Sequence, residues 1–234
     1  SAASDVYKRQ KYSDLPYYIL KKYIEDFYGS QMEDLVQREF YKPLGANFTT
    51  FLPLEKYSKD KIPPTENDTV FRKQKVHGYV HDQGAALLGG VGGHAGLFSN
   101  ANDIAKIMQM YLWKGYYGGK RFFKPETIDL FNTCHFCEDD VRRGVGFDKP
   151  QLGDVGPTCG CVSMLSFGHS GFTGTFTWAD PEEEIVYVFL SNRTYPDASN
   201  RRIIKSNLRS NIQQIIYDAI NQYKFIEIID YKIE

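Results

Sequence analysis

Two short clusters of this chain set reactive side chains next to one another. Near the start, Tyr12-Ser13-Asp14 places a phenol, a hydroxyl and a carboxylate in three residues; near the end, Gly168-His169-Ser170-Gly171 places an imidazole and a hydroxyl between glycines. A phenol accepts a proton near neutral pH only when nearby cations bring its pKa down from about 10. An imidazole on a strand can orient a carboxylate or polarise a bound group. Gly171 would let a substrate lie close against the strand backbone. Each cluster also has a plain structural reading: a Tyr ahead of a helix with Asp14 as its N-cap, and a polar strand residue facing water.

Competing chemistries fail on spacing. Phe172 stands where the last glycine of a Gly-x-Ser-x-Gly nucleophile elbow belongs. Gly90-Val91-Gly92-Gly93-His94-Ala95 imitates a dinucleotide loop but follows a helical pattern rather than a strand. No Gly-Lys-Ser/Thr marks a P-loop. His77, His81 and His94 lack the His-Glu-x-x-His spacing and are read as lining or solvated groups, so no metal is assigned. Cys134-x-x-Cys137 and Cys159-x-Cys161 leave three states open: a four-thiolate zinc site with a second pair one residue too tight, disulfides, or free thiols. Free thiols are the favoured expectation.

The two clusters resemble signatures of the serine beta-lactamase and penicillin-binding-protein family, class C type, in its esterase or peptidase branch. Tyr12-Ser13-Asp14 is similar to Tyr-x-Asn with Asp14 in place of Asn. His169-Ser170-Gly171 is similar to Lys-Thr-Gly. Gly93-His94-Ala95-Gly96-Leu97-Phe98-Ser99 looks like the family's Gly-Gly-Leu-x-Ser segment, and Phe167 to Asn192 looks like its closing hairpin. The resemblance implies acyl-enzyme hydrolysis of an amide, ester or lactam. It implies catalytic roles for Tyr12 and His169, and substrate contacts from Asp14, Ser170, Gly171 and Phe172, whose N–H would be one oxyanion donor. The antibiotic-hydrolysing branch is disfavoured, because His169 and Asp14 both depart from it.

The family's Ser-x-x-Lys, which lies upstream of the Tyr motif, is not offered by the eleven residues before Tyr12. The first ten, SAASDVYKRQ, resemble a translated sequencing adapter and carry no apolar h-region. Natural sequence is then expected from about Lys11, as the C-terminal part of a longer, exported or periplasmic protein. The missing N-terminal part of its own domain would be a partner, beside a small-molecule, peptide or glycan substrate, and this fragment alone would be inactive. The alternative is a non-catalytic peptide- or glycan-binding module, fused in the parent to a family 3 glycoside hydrolase.

Composition agrees with a globular domain. The 234 residues can bury a core. With 28 Lys plus Arg against 29 Asp plus Glu, nothing favours a nucleic-acid partner. No apolar run approaches the ~20 residues of a membrane span, and no cofactor is implied.

The elements that must position the clusters follow from periodicity. Leu15, Ile19, Tyr23 and Phe27 predict an amphipathic helix from Pro16 to Tyr28, ended by Gly29. Ser30-x-x-Glu33 predicts a capping box for a second helix, with Met32, Leu35, Val36 and Phe40 inward. Residues 46–78 read as irregular, His81 to Leu88 as a short helix and Gly89 to Gly96 as a turn. Ser99 or Asn100 caps a helix bearing Ile104, Ile107, Met108, Tyr111 and Leu112; Lys124 to Phe131 is another. Gly144 to Asp148, Ser166 to Ser170, Gly174 to Ala179 and Ile185 to Ser191 read as strands, with Asp180-Pro181-Glu182 as a hairpin turn. A last helix spans Asn200 to Asn221. This is an α+β order: a mainly helical part, 11–142, then sheet and final helix, 143–222, with 223–234 unassigned.

Overall fold

The computed structural model describes residues 12–137, 141–152 and 156–233. The stretch read as adapter lies outside them. The chain opens with α1 (Leu15–Tyr28), with Pro16 in its first turn and Gly29 at the left-handed C-cap, φ 58°. Its apolar row does not enter a core: Leu15, Ile19, Tyr23 and Phe27 are all exposed. Helix α2 (Met32–Val36) begins after Gln31, not Ser30, and no side chain caps it. The Met32 N–H instead donates to Glu25 Oε1 at 3.0 Å, tying α2 to the end of α1. A π-turn, Gln37–Tyr41, continues the chain.

Residues 46–78, expected to be irregular, contain a β-hairpin of β1 (Pro64–Asp68) and β2 (Gln74–His77). Arg72, in its turn, explains it. The guanidinium contacts Asp68 Oδ2 at 2.8 Å and Glu66 Oε1 at 2.5 Å, and donates to the carbonyls of Val80 and His81. The Arg72 side chain, with the N–H groups of Arg72, Phe71 and Val70, holds the Asp68 carboxyl well below the usual carboxylate range. Thr194 Oγ1–H donates to the Thr65 carbonyl, and Asn192 Nδ2 to that of Pro64, so the hairpin is stitched to the chain leaving the sheet.

Helix α3 (Gln83–Leu87) is capped by Asp82, which accepts the Ala85 N–H. Helix α4 (Ala101–Leu112) is capped by Asn100 and runs through the middle of the molecule. A two-residue ladder, β3 (Tyr116–Tyr117) with β4 (Lys120–Arg121), and α5 (Pro125–Asn132) follow. The strand expected at Gly144 to Asp148 is only a pair of isolated bridges, Arg143 to Asp148 and Asp148 to Gly168. Gly146, at φ 108°, turns the chain back before a ladder can form.

The main sheet is antiparallel, in the order β5 (Phe167–Ser170), β6 (Phe176–Asp180), β7 (Ile185–Phe189). Alternation gives it two faces. Phe167, Ala179 and Val186 pack with Met108 and Leu112 of α4. Phe176, Trp178 and Tyr187 pack with Ile212 and Ile216 of the final helix. That helix breaks at Asn207, φ 52°, into α6 (Arg202–Lys205) and α7 (Leu208–Ile233), so α7 absorbs much of the tail that sequence left unassigned. The result is helix, sheet, helix, an α+β sandwich. Beyond it, Leu44, Ala46 and Met110 gather the rings of Phe40, Phe122 and Phe123.

Trp178 is 1% exposed and donates from Nε1 to Ser166 Oγ at 2.9 Å, whereas Trp113, at the end of α4, is 54% exposed. Asp180, fully buried, accepts from Ser163 N–H at 2.8 Å, Ser163 Oγ at 2.5 Å, Glu182 N–H at 3.1 Å and Tyr217 Oη at 2.7 Å. The cysteines are paired, Cys134 with Cys137 and Cys159 with Cys161, which corrects the expectation of free thiols. Their Cα atoms lie 5.5 and 5.2 Å apart, within the reach of a disulfide.

Candidate active site

His169 lies on β5 opposite Thr177, on the face of the sheet that meets α4. Gly168, beside it, leaves space for the Trp178 ring, which a Cβ there would meet. Tyr12 precedes α1. Its ring centroid is 6.4 Å from that of His169, so the fold brings the two distant clusters to one place. Tyr12, Ser170, Gly171 and Phe172 line the same cleft, of about 600 Å³. The Phe172 N–H donates to no acceptor among the described residues.

The seat of Tyr12 is the glycine-rich turn. A Cβ on Gly93 would meet the Tyr17 carbonyl oxygen at 2.7 Å, so only glycine lets α1 lie this close. The His94 ring meets Tyr18 edge-on at 4.7 Å, and its Nε2 lies 2.8 Å from Asp82 Oδ1. The segment after Gly93 is therefore a bracket for the helix behind Tyr12.

Asp14 sits at the N-cap position of α1 without capping it; Ser13 Oγ accepts the Leu15 N–H instead, at 3.3 Å. The Asp14 carboxylate faces Asp82 and His94, the potential ligand atoms of all three lying within 4.8 Å of one another. Burial pushes the Asp82 carboxyl up, but the Ala85 N–H and His94 outweigh it and hold it below its ordinary range. Asp82 and His94 are bonded to each other, and Asp14 lies beside that pair.

Sequence reasoning missed Arg143. Its guanidinium lies 4.8 Å over the Tyr12 ring and 2.8 Å from Asp148 Oδ1. No motif marks it; a bend in the chain delivers it. Burial and Asp14 push the Tyr12 phenol above its ordinary pKa, against the pull of Arg143. The cations described do not by themselves lower the phenol, contrary to what proton acceptance requires. Also missed was a stack beside Phe172. His81 lies parallel to its ring at 4.9 Å, and the Arg193 guanidinium covers it at 4.3 Å.

Residues 2–208 match the Beta-lactamase family. The chain belongs to the beta-lactamase family. It is 36% identical over 197 residues to a protein of Escherichia coli strain K12 that carries the provisional name D-alanyl-D-alanine carboxypeptidase. The match covers 79% of this chain and 45% of that one. A Salmonella agona protein of the same provisional name is 35% identical, over 82% of this chain and 47% of its own. The chain thus spans about half the length of these relatives. Among solved structures, a Mycobacterium bovis beta-lactamase superposes with TM-score 0.61 at 17% identity, covering 91% of this chain and 65% of that one. An octameric penicillin-binding protein homologue from Pyrococcus abyssi superposes with TM-score 0.57 at 22% identity, over 86% and 42%. Both likenesses are of fold. The family is one of serine hydrolases.

Proposed function

We propose that this chain is the part of an acyl-enzyme hydrolase that carries its proton-transfer and substrate-orienting strand residues. Its substrate is an amide or ester derived from a cell-wall peptide. The observation that carries the reading is the approach of Tyr12 to His169, 6.4 Å between rings, at a cleft edged by Ser170, Gly171 and Phe172. Tyr12 relays a proton, His169 orients a substrate carboxylate, and the Phe172 N–H donates to the developing oxyanion. The raised Tyr12 phenol needs one more cation than Arg143, and the lysine of a Ser-x-x-Lys in the full gene product would supply it. Two disulfides support an oxidising, exported setting.

The test is steady-state kinetics on the full gene product with a D-alanyl peptide and a p-nitrophenyl ester. Tyr12→Phe lowers kcat roughly 10²–10⁴-fold. His169→Ala raises KM more than it lowers kcat. Wild-type rates for Tyr12→Phe would remove Tyr12 from the mechanism. The 234-residue chain alone should give no acyl-enzyme burst; a stoichiometric burst would sink that part of the reading.

A further inference from the structure

The cleft that holds Tyr12 and Phe172 has a second wall made of arginines. Arg193, Arg201 and Arg209 all line it. Between Asn192 and Arg209 the sequence carries five cations, Arg193, Arg201, Arg202, Lys205 and Arg209, and one acid, Asp197, in a chain whose net charge is only -1. Asp197 is engaged elsewhere, accepting the Ser199 N–H and the Ser199 hydroxyl, each at 2.8 Å. Among the described residues no carboxylate lies within ion-pair distance of the three cleft arginines. Other cations of the molecule are treated differently: Arg72, Lys106 and Arg143 have acids at 2.5, 3.1 and 2.8 Å.

Arg193 fixes one end of the arginine wall. Arg193 Nε donates to the Phe172 carbonyl at 2.7 Å, and Nη1 to the carbonyls of Ala198 and Asn200 at 2.8 and 3.1 Å. Its plane is fixed over Phe172, which is itself fixed on His81. Arg209 reaches the carbonyls of Gly174 and Thr175 only at 3.5 and 3.4 Å, and its guanidinium rests over the Phe176 ring at 5.6 Å. The Arg201 side chain makes no hydrogen bond among the described residues and is exposed. Burial, and to a lesser degree a neighbouring arginine, draw both Arg193 and Arg209 below the ordinary arginine range. Arg193 spends Nε and Nη1 on carbonyls, whereas Arg209 makes only long contacts and the Arg201 side chain none, so charged donors of the wall remain to pair with carboxylates.

We propose that the arginine wall is a subsite for the non-reacting part of the substrate, and that this part carries two or more carboxylates. The proposal rests on the hydrolase reading of the same cleft and names its substrate class: an acyl compound or peptide with acidic side groups. A cleft of about 600 Å³ has room for such a group beside the reacting bond.

Calorimetric titration of the full gene product tests it. The ligands are N-acetyl-Glu-Glu-D-Ala, its diamide N-acetyl-Gln-Gln-D-Ala, and citrate. Neither peptide has a D-Ala-D-Ala bond to break. The acidic peptide should bind about tenfold more tightly than the diamide, and about 0.5 M sodium chloride should erase most of the difference. Arg201→Gln and Arg209→Gln should each cut the preference roughly threefold, and Arg209→Lys should restore part of it. Equal affinity for the two peptides overturns the subsite and leaves the hydrolase reading standing. Citrate binding that depends on Arg201 and Arg209, with neither peptide bound, overturns the substrate subsite in favour of a plain anion site and leaves the hydrolase reading to its kinetic test. Failure of all three ligands to bind overturns the proposal.

Discussion

The strand that carries His169 lies in a sheet packed on both faces, with Phe167, Phe176, Trp178 and Ala179 no more than 2% exposed. The helix that follows Tyr12 buries none of its residues, and its apolar row of Leu15, Ile19, Tyr23 and Phe27 is open. One wall of the cleft therefore takes its position from a core. The other takes it from a seam: the Tyr17 carbonyl against Gly93, Tyr18 on His94, and Glu25 on the Met32 N–H. The proposed chemistry uses both walls, so its geometry would be only as fixed as the seam.

The sharpest way to break this comparison is Trp178→Ala. Emptying the buried ring site should cost about 3–5 kcal/mol, read as a fall in urea midpoint; a loss under about 1 kcal/mol would mean the sheet is not the rigid wall. Asp180→Ala comes next, at roughly 2–3 kcal/mol, because it strands the Tyr217 hydroxyl and the Ser163 donors. Burial pushes the Asp180 carboxyl up, but these donors outweigh it and hold its folded pKa below the unfolded value. Its contribution is thus present above about pH 4 and is lost as pH falls through the folded pKa. The urea midpoints of wild type and Asp180→Ala should converge in acid; a constant gap down to pH 2 would contradict the assignment.

Gly93→Ala probes the seam. A methyl group 2.7 Å from the Tyr17 carbonyl pushes α1 off its seat. Stability should fall by only about 1 kcal/mol, while kcat of the full gene product falls about tenfold; a stability loss with unchanged kcat would separate Tyr12 from the seam. The smallest effect is expected from Ile19→Ser, 70% exposed. In the 234-residue chain it should stay within about 0.5 kcal/mol. A cost of about 1.5 kcal/mol or more in the full gene product would show that something covers this face there.

What could be read from sequence follows from how local each feature is. The β6–β7 hairpin announces itself through alternating apolar residues around Asp180-Pro181, and α4 through its period and the Asn100 cap. The β1–β2 hairpin does not, because the strand from Pro64 to Asp68 has no apolar alternation and depends on the Arg72 side chain, which reaches Val80 and His81 as well. Gly144 to Asp148 alternates like a strand but carries Gly146 at positive φ. The cleft is legible at Tyr12 and at Ser170 to Phe172, with His169 beside it, through resemblance alone. Arg143, Arg193 and Arg209 were not, since each sits in unpatterned sequence and acquires its meaning from what the chain folds against it.

The two tryptophans of the chain stand on opposite terms with water, Trp178 sealed beneath the sheet and Trp113 open to solvent. The protein thus carries a two-colour optical reporter without any label. Trp178 should emit at short wavelength and resist iodide, while Trp113 should emit to the red and be quenched at once. Since only Trp178 touches Gly168, next to His169, the blue component alone should respond when a ligand shifts the strand.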